Sequence, residues 1–237
     1  TTSTRAWPYD PAPRDPAITT TSAFAAALVA EGIHVRGRPE RAEAPEGSPT
    51  LASVESAPLV DVLAEALRES DNALTESLAR SAAAQRVTPG PDGIDTQQAA
   101  LWVRDRLGAL DIPIENVTLL DTSGLSRGTL VPTSTVADVL ALTIDDASFT
   151  DVVARLPVAA LSGTLHDRFV GDAAAGAGRA RAKTGTLTGV HALAGTVVDA
   201  DGRLLLYSVL ADEAGGTLEA RAALDRLVAA LAACGCR

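Results

Sequence analysis

The amino-acid sequence predicts an α+β fold, with helices packed on an antiparallel sheet in one layered domain. Three observations predict it. Between residues 58 and 142, apolar side chains recur at three- and four-residue intervals, the period of helices buried on one face. From 181 to 210 the texture changes to three β-rich runs, the last two joined by a turn-forming tetrapeptide. An amphipathic segment at 218–231 then closes the chain, placed to cover one face of that sheet.

Residues 1–17 carry four prolines (Pro8, Pro11, Pro13 and Pro16) and read as extended or irregular. Thr20 to Ala30 is helix-like, with Gly32 placed to supply a left-handed stop. Ile33 and Val35 signal a short strand. The proline- and charge-rich stretch from Arg38 to Pro49 reads as a linker, dividing the chain into 1–49 and 50–237.

Leu51 to Val54 reads as another short strand. Pro58 to Arg68 is amphipathic, with Leu59, Val60, Leu63 and Leu67 on one side. A helix over Asn72–Ala84 has Leu74, Leu78 and Ala82 spaced for burial. Thr96 can cap a third helix, which carries Ala100, Val103 and Leu107. Val117 to Leu120 reads as a short strand, followed by a polar, glycine-rich turn over Asp121–Gly128. Thr133 or Ser134 caps a helix through Leu142, and Phe149 to Arg155 adds a turn or two.

The strands are expected at Arg181–Val190, Leu193–Val198 and Leu204–Leu210, with Asp199-Ala200-Asp201-Gly202 as the hairpin turn. The last helix spans Leu218–Leu231, with apolar residues at 218, 222, 224, 227, 228 and 231. No internal repeat is visible.

Composition excludes several classes. With 237 residues, 46% hydrophobic and 21% charged, the chain has apolar surface enough for a sizeable core. A net charge of −10 disfavours a nucleic-acid surface or attraction to anionic lipid. No apolar run approaches the roughly 18–20 residues of a membrane helix. All but one of the 20 basic residues are arginine, so lysine-dependent chemistry has a single address, Lys183. With no methionine and no charged-then-apolar leader, the chain is expected to be a processed or excised piece of a longer product. Cys234 and Cys236, without a nearby histidine, make a poor zinc site. They read as an unremarkable tail or as partners for a missing segment, and no metal or other cofactor is expected.

Two short motifs can carry chemistry. Ser70-Asp71-Asn72 lies where one helix ends and the next begins; Lys183-Thr184-Gly185, followed by Thr186, opens the first strand of the meander. Alone, the first is an ordinary helix cap and the second an ordinary strand start. Together they are specific. They stand 113 residues apart, the helical motif first and the strand motif second, and the second holds the sole lysine.

On these residues the sequence resembles the penicillin-binding proteins and serine β-lactamases. Within them it is most similar to the low-mass, class C D-alanyl-D-alanine carboxypeptidase/endopeptidase family, whose catalytic domain carries inserted domains. Ala57-Pro58-Leu59 leading into Glu69-Ser70-Asp71-Asn72 matches that family's texture. So does Asp121-Thr122-Ser123-Gly124-Leu125-Ser126-Arg127, which looks like its D-G-S-G-L-S-R turn. Leu156-Pro157-Val158-Ala159 with Gly163-Thr164-Leu165 looks like its L-P-V-A-G…G-T-L segment. The resemblance covers Thr20 to Leu231.

The family's nucleophile lies in Ser-x-x-Lys, and here the position three before Lys183 is Ala180. The resemblance therefore implies that the nucleophilic serine lies upstream of Thr1, that residues 1–49 are the tail of an inserted domain plus linker, and that 50–237 is the C-terminal part of an incomplete catalytic domain. This chain alone is expected to be inactive and poorly soluble, because the face for the missing helix is exposed.

The resemblance also implies roles. Ser70 is the relay hydroxyl, Asn72 holds the substrate amide, and Asp71 braces the helix turn. Lys183 supplies positive potential. Thr184 and Thr186 offer hydroxyls to the terminal carboxylate of D-alanine or of a β-lactam, while Gly185 lets a peptide approach the strand edge. Ser123, with Gly124 and Ser126, lines the cleft rim or simply forms a turn. The implied partners are peptidoglycan stem peptides ending in D-Ala-D-Ala, β-lactams and the N-terminal fragment of the same protein. The implied location is outside the cytoplasm: periplasm, cell envelope or secreted.

Two alternatives stand beside this reading. The chain can be a catalytically silent fragment that binds peptidoglycan peptide or β-lactam. Gly124-Leu125-Ser126-Arg127-Gly128 also matches the nucleophile elbow of α/β-hydrolase esterases, but Pro132 and the antiparallel strands are the wrong context. A class A β-lactamase is disfavoured because no Leu-Asn pair occurs. His34, His166 and His191 are scattered and read as surface or packed histidines.

Overall fold

The computed structural model describes residues 15–43, 45–90, 93–146 and 149–235. The chain divides into two compact units, with the division between Glu55 and Ser56. In the first unit, helix α1 spans Pro16–Ala30. It starts four residues before the predicted Thr20 because Asp15 accepts from the Ile18 N–H and Pro16 sits where no intrahelical donor is needed. Gly32 takes the left-handed stop, with φ 82°. The strands expected at Ile33–Val35 and Leu51–Val54 are absent: both stretches are irregular and exposed, without a neighbouring edge to pair with.

The second unit is layered. Helices α2 (Leu59–Glu69), α3 (Asn72–Ala84), α4 (Thr96–Gly108), α5 (Thr133–Asp145) and α6 (Thr150–Ala154) come first. Strands β1 (Ala180–Leu187), β2 (Val190–Val198) and β3 (Leu204–Ala211) follow as an antiparallel meander in the order β1-β2-β3, and α7 (Thr217–Ala233) closes the chain. This is the mixed helix-and-antiparallel-sheet architecture the sequence predicts. The run expected over Arg181–Val190 breaks at Thr188-Gly189, where Gly189 turns with φ 80° and Leu187 pairs with Val190.

Capping differs from expectation in two places. Asp95, not Thr96, caps α4 and forms a reciprocal capping box with Gln98. Helix α5 is preceded by Pro132 with no side-chain cap, so neither Thr133 nor Ser134 serves. In α3 the small residues Ala79 and Ala83 pack against α4, while Leu78 and Ala82 face an open groove. Val117–Leu120 forms a single bridge, Thr118 to Leu130, rather than a strand.

The pleat sends alternate side chains of the sheet to opposite layers. Ala180, Ala182, Leu193, Val197 and Tyr207 meet Leu224, Val228, Ala229 and Ala232 of α7 in the main core. Full burial of each leucine or valine there contributes about 1.5–3 kcal/mol. On the other face, Ala194 and Leu206 pack toward Leu140, Val153 and Leu156 of the helical layer. Gly195 lets β1 and β2 close up: a Cβ there would strike the Arg181 carbonyl.

The segment between α6 and β1 is held by two 3-10 turns, Gly163–Leu165 and Gly171–Gly176. Asp225 of α7 pins it. Its carboxylate accepts two bonds from the Arg168 guanidinium, at 2.6 and 3.2 Å, and one from the Phe169 N–H at 3.4 Å. Cys234 is disulfide-bonded rather than a free thiol. Cys236 lies outside the described residues.

Candidate active site

The site is built where the α2–α3 junction meets β1, just past the stretch at Ala180–Ala182 whose outer edge is bonded to Pro157 and Ala159. Helix α2 ends at Ser70, whose backbone takes the left-handed region at φ 55° and ψ 45°. For a side chain other than glycine this conformation costs roughly 1–2 kcal/mol, and it swings the hydroxyl out of both helices. Asp71 restarts the chain by accepting from the Leu74 N–H at 2.9 Å. Asn72, half-buried, is the first residue of α3.

On β1, Lys183 lies on the face turned toward the helical layer. Its Nζ donates to Ser70 Oγ at 2.7 Å and to its neighbour's carbonyl, Thr184 O, at 2.7 Å. Burial disfavours the ammonium and lowers its pKa from 10.5 to about 8. Thr184 and Thr186 project to the opposite face. Thr184 Oγ1 donates to Thr164 Oγ1 at 2.9 Å, and Thr186 Oγ1 accepts from Arg221 Nη2 at 3.2 Å.

Thr164 reaches this position because Gly163, at φ 53°, packs directly on the Arg68 carbonyl at the end of α2, where any Cβ would collide. Ser70, Thr164, Arg168, Thr184, Thr186 and Arg221 enclose a pocket of about 190 Å³. Four hydroxyls and two guanidinium groups make it a site for a small anion or polar group.

Ser123 is not brought to this pocket. It lines a larger apolar groove of about 650 Å³, with Leu63 and Leu67 of α2, Leu78 of α3 and Val103 of α4. The Asp121–Gly128 turn around it is held by two carboxylates. Glu76 Oε1 accepts from the Thr122 and Ser123 N–H groups at 2.7 and 2.8 Å; Asp121 accepts from those of Gly124 and Ser126 at 2.5 and 2.6 Å. Ser126 and Arg127 line a separate cleft of about 450 Å³ that also touches Gly185 and Thr186. No helix follows Ser126 directly, since Leu130 bridges to Thr118 before α5 begins, so the esterase-elbow alternative lacks its required context.

Sequence reasoning missed Thr164 as a site residue, and also Arg168 and Arg221. Thr164 stands in the Gly163-Thr164-Leu165 motif and was within reach. The two arginines carried no local signal, because only the folded α7 brings them to β1. His191 is packed at 1% exposure, and His166 is exposed beside Asp167. Among the described residues, no group of three or more His, Cys, Asp or Glu side chains is placed to hold a metal ion. No described helix is long and apolar enough to cross a membrane.

A Ser-Asp-Asn helix junction facing a Lys-Thr-Gly strand edge, in a sheet sandwiched between helices, defines the penicillin-binding-protein class of folds. Penicillin binding protein 4 of Haemophilus influenzae, solved in complex with a β-lactam, superposes with a TM-score of 0.73 at 27% identity, over 88% of this chain and 49% of that one. The chain belongs to the D-Ala-D-Ala carboxypeptidase 3 (S13) family, whose model matches residues 3–233. It is 37% identical to carboxypeptidase DacB of Mycolicibacterium smegmatis, over 94% of this chain and 47% of that protein. It is 34% identical to a D-alanyl-D-alanine carboxypeptidase of Actinomadura sp. (strain R39), over 80% of this chain and 36% of that protein. The chain thus spans about half the length, or less, of the curated relatives it matches.

Proposed function

We propose that this chain is the cleft-bearing part of a serine-type D-Ala-D-Ala carboxypeptidase/endopeptidase that cleaves peptidoglycan stem peptides through an acyl-enzyme and is acylated by β-lactams. The observation that carries the reading is the 2.7 Å bond between Lys183 Nζ and Ser70 Oγ, beside a pocket of hydroxyls and guanidinium groups. In this reading the nucleophilic serine and its lysine come from a Ser-x-x-Lys segment outside the chain. Ser70 relays the proton to the leaving amine, and Lys183 keeps that hydroxyl in register and supplies positive potential. Asn72 holds the substrate amide. Thr184 and Thr186 take the terminal carboxylate, and Gly185 leaves room for the peptide backbone along β1. Ser123 acts through the turn that forms the rim.

Residues 1–49 are then the end of an inserted domain with its linker, and 50–237 the C-terminal part of the catalytic domain. The open apolar groove between α2, α3 and the Asp121–Gly128 turn supports a covering segment from the rest of the protein. The substrate places the protein outside the cytoplasm, in the periplasm or cell envelope or as a secreted enzyme.

The test is intact mass after incubation with a penicillin, on this chain alone and on the full-length protein. The expected result is no adduct on the chain alone, and one penicilloyl adduct per full-length molecule on the Ser-x-x-Lys serine. An adduct on the folded chain that disappears in Ser126→Ala would place the nucleophile within this sequence and reject the assignment.

A further inference from the structure

Arg221 lies outside both sequence motifs, yet it enters the 190 Å³ pocket from α7. The two guanidinium groups of that pocket differ in charge balance. Arg168 donates from Nε and Nη2 to the two carboxylate oxygens of Asp225, in a pair whose side chains are 11% and 9% exposed, and its charge is offset. Arg221 has no carboxylate within salt-bridge distance among the described residues. Its Nε is buried without a hydrogen-bond partner. No acidic residue is among the described lining residues. Of the two guanidinium groups lining the pocket, Arg221 therefore carries the charge that no carboxylate offsets, on the face of β1 opposite Lys183.

The geometry fixes where that charge points. Arg168 Nη2 also donates to the Arg221 carbonyl at 3.4 Å, which ties the helix turn bearing Arg221 to the same segment as Thr164. Arg221 Nη2 donates to Thr186 Oγ1. With its oxygen accepting from Arg221, the Thr186 hydroxyl keeps its own proton available for an acceptor that enters the pocket.

We infer that Arg221 is a specificity-determining residue: it selects substrates ending in a free carboxylate over otherwise identical substrates with an uncharged end. The inference rests on the functional reading above. A neutral terminus leaves the Arg221 charge unanswered in a partly desolvated pocket, whereas a carboxylate meets it and the Thr186 hydroxyl together.

The test uses the full-length protein and two stem-type peptides, one ending in D-Ala-D-Ala and one in the same sequence as carboxamide. The readout is the ratio of their kcat/KM values. In Arg221→Gln the ratio of acid to amide falls by about 10- to 100-fold, the range for losing a charged hydrogen bond. Arg221→Lys, which keeps the charge, holds the ratio within about fivefold. An Arg221→Gln protein that still turns over the free acid with an unchanged ratio overturns the inference. So does an Arg221→Lys protein that loses the ratio as fully as Gln, since shape and not charge would then decide. A wild-type protein that is never acylated by penicillin overturns the functional reading itself, a result distinguishable from both.

Discussion

The ammonium of Lys183 and the hydroxyl of Ser70 lie 2.7 Å apart, although 113 residues separate them in the chain. One comes from an edge strand, the other from a left-handed helix terminus, and their meeting joins the helical layer to the sheet. The lysine is held there against its solvation preference, which lowers its pKa to about 8.

The first prediction follows from that value. Lys183 is the only lysine of the chain, so a 13Cε-lysine label gives one resonance. Its titration midpoint is expected near 8; a midpoint above 10 would mean that the side chain is solvated and away from Ser70. The folded value lies below the unfolded 10.5, so the unfolded chain binds more protons between about 8 and 10.5. The charge therefore costs stability below pH 8, and stability rises with pH through that window. The gap corresponds to roughly 3 kcal/mol as an upper bound. Lys183→Met, which removes the charge but also two hydrogen bonds, is expected to raise stability at pH 7 by about 1–3 kcal/mol. The gain should vanish above pH 10.5 in urea denaturation.

The parts of this arrangement legible in the sequence were those written locally. Ser70-Asp71-Asn72 had to interrupt a helix because Asp71 is a strong cap, and Asp199 to Gly202 had to turn because Gly202 reaches φ 82° freely. The strands at Ile33–Val35 and Leu51–Val54 failed for the converse reason, since such short runs need a neighbouring edge that only tertiary structure supplies. Arg168 and Arg221 were illegible because their roles depend on α7 crossing the sheet. Asp225, the residue that organises them, looked like any polar position in an amphipathic helix.

The second prediction concerns Asp121, which is 5% exposed. Burial pulls its pKa up, but hydrogen bonds from Ser126, Gly124 and Ser123 outweigh that and hold it below 3.8. A depressed carboxylate contributes stability that is present above its unfolded value and lost as pH falls through its folded value. Asp121→Asn keeps one acceptor oxygen and loses the charge, so a loss of about 1–2 kcal/mol is expected at pH 7. Thermal denaturation of both proteins should converge as the pH drops below 3; an equal gap at pH 7 and pH 2.5 would show that the carboxylate charge is irrelevant.

Gly163 gives the third. A Cβ at this position meets the Arg68 carbonyl, and φ 53° is strained for any other residue. Gly163→Ala must therefore push the Gly163–Leu165 turn off the end of α2, taking Thr164 away from Thr184. The expected cost is about 2–4 kcal/mol, with penicillin acylation of the full-length protein slowed at least about tenfold. Gly202→Ala is the control: its φ is 82°, but nothing lies within 4 Å of the added Cβ. It should cost about 1 kcal/mol and leave acylation as it was. Equal acylation rates in the two variants would remove Thr164 from the site.

The last prediction tests whether Asp225 holds the pocket wall. Its carboxylate carries the Arg168 guanidinium and the N–H of Phe169, a buried residue in the left-handed region at φ 61°. Phe169 packs so closely on Gly176 that a Cβ there would sit 2.5 Å from the ring. Removing one partner of a buried pair strands the other charge, which is more costly than removing both. Asp225→Asn is expected to lose about 3–5 kcal/mol in urea denaturation, and Arg168→Leu a comparable amount. The double variant Arg168→Leu/Asp225→Leu should recover much of that loss, because no charge is left buried and the leucines extend the core around Leu165 and Leu224. Strictly additive losses would mean that the two side chains act independently, and that the 2.6 Å contact between them contributes nothing to holding the segment against α7.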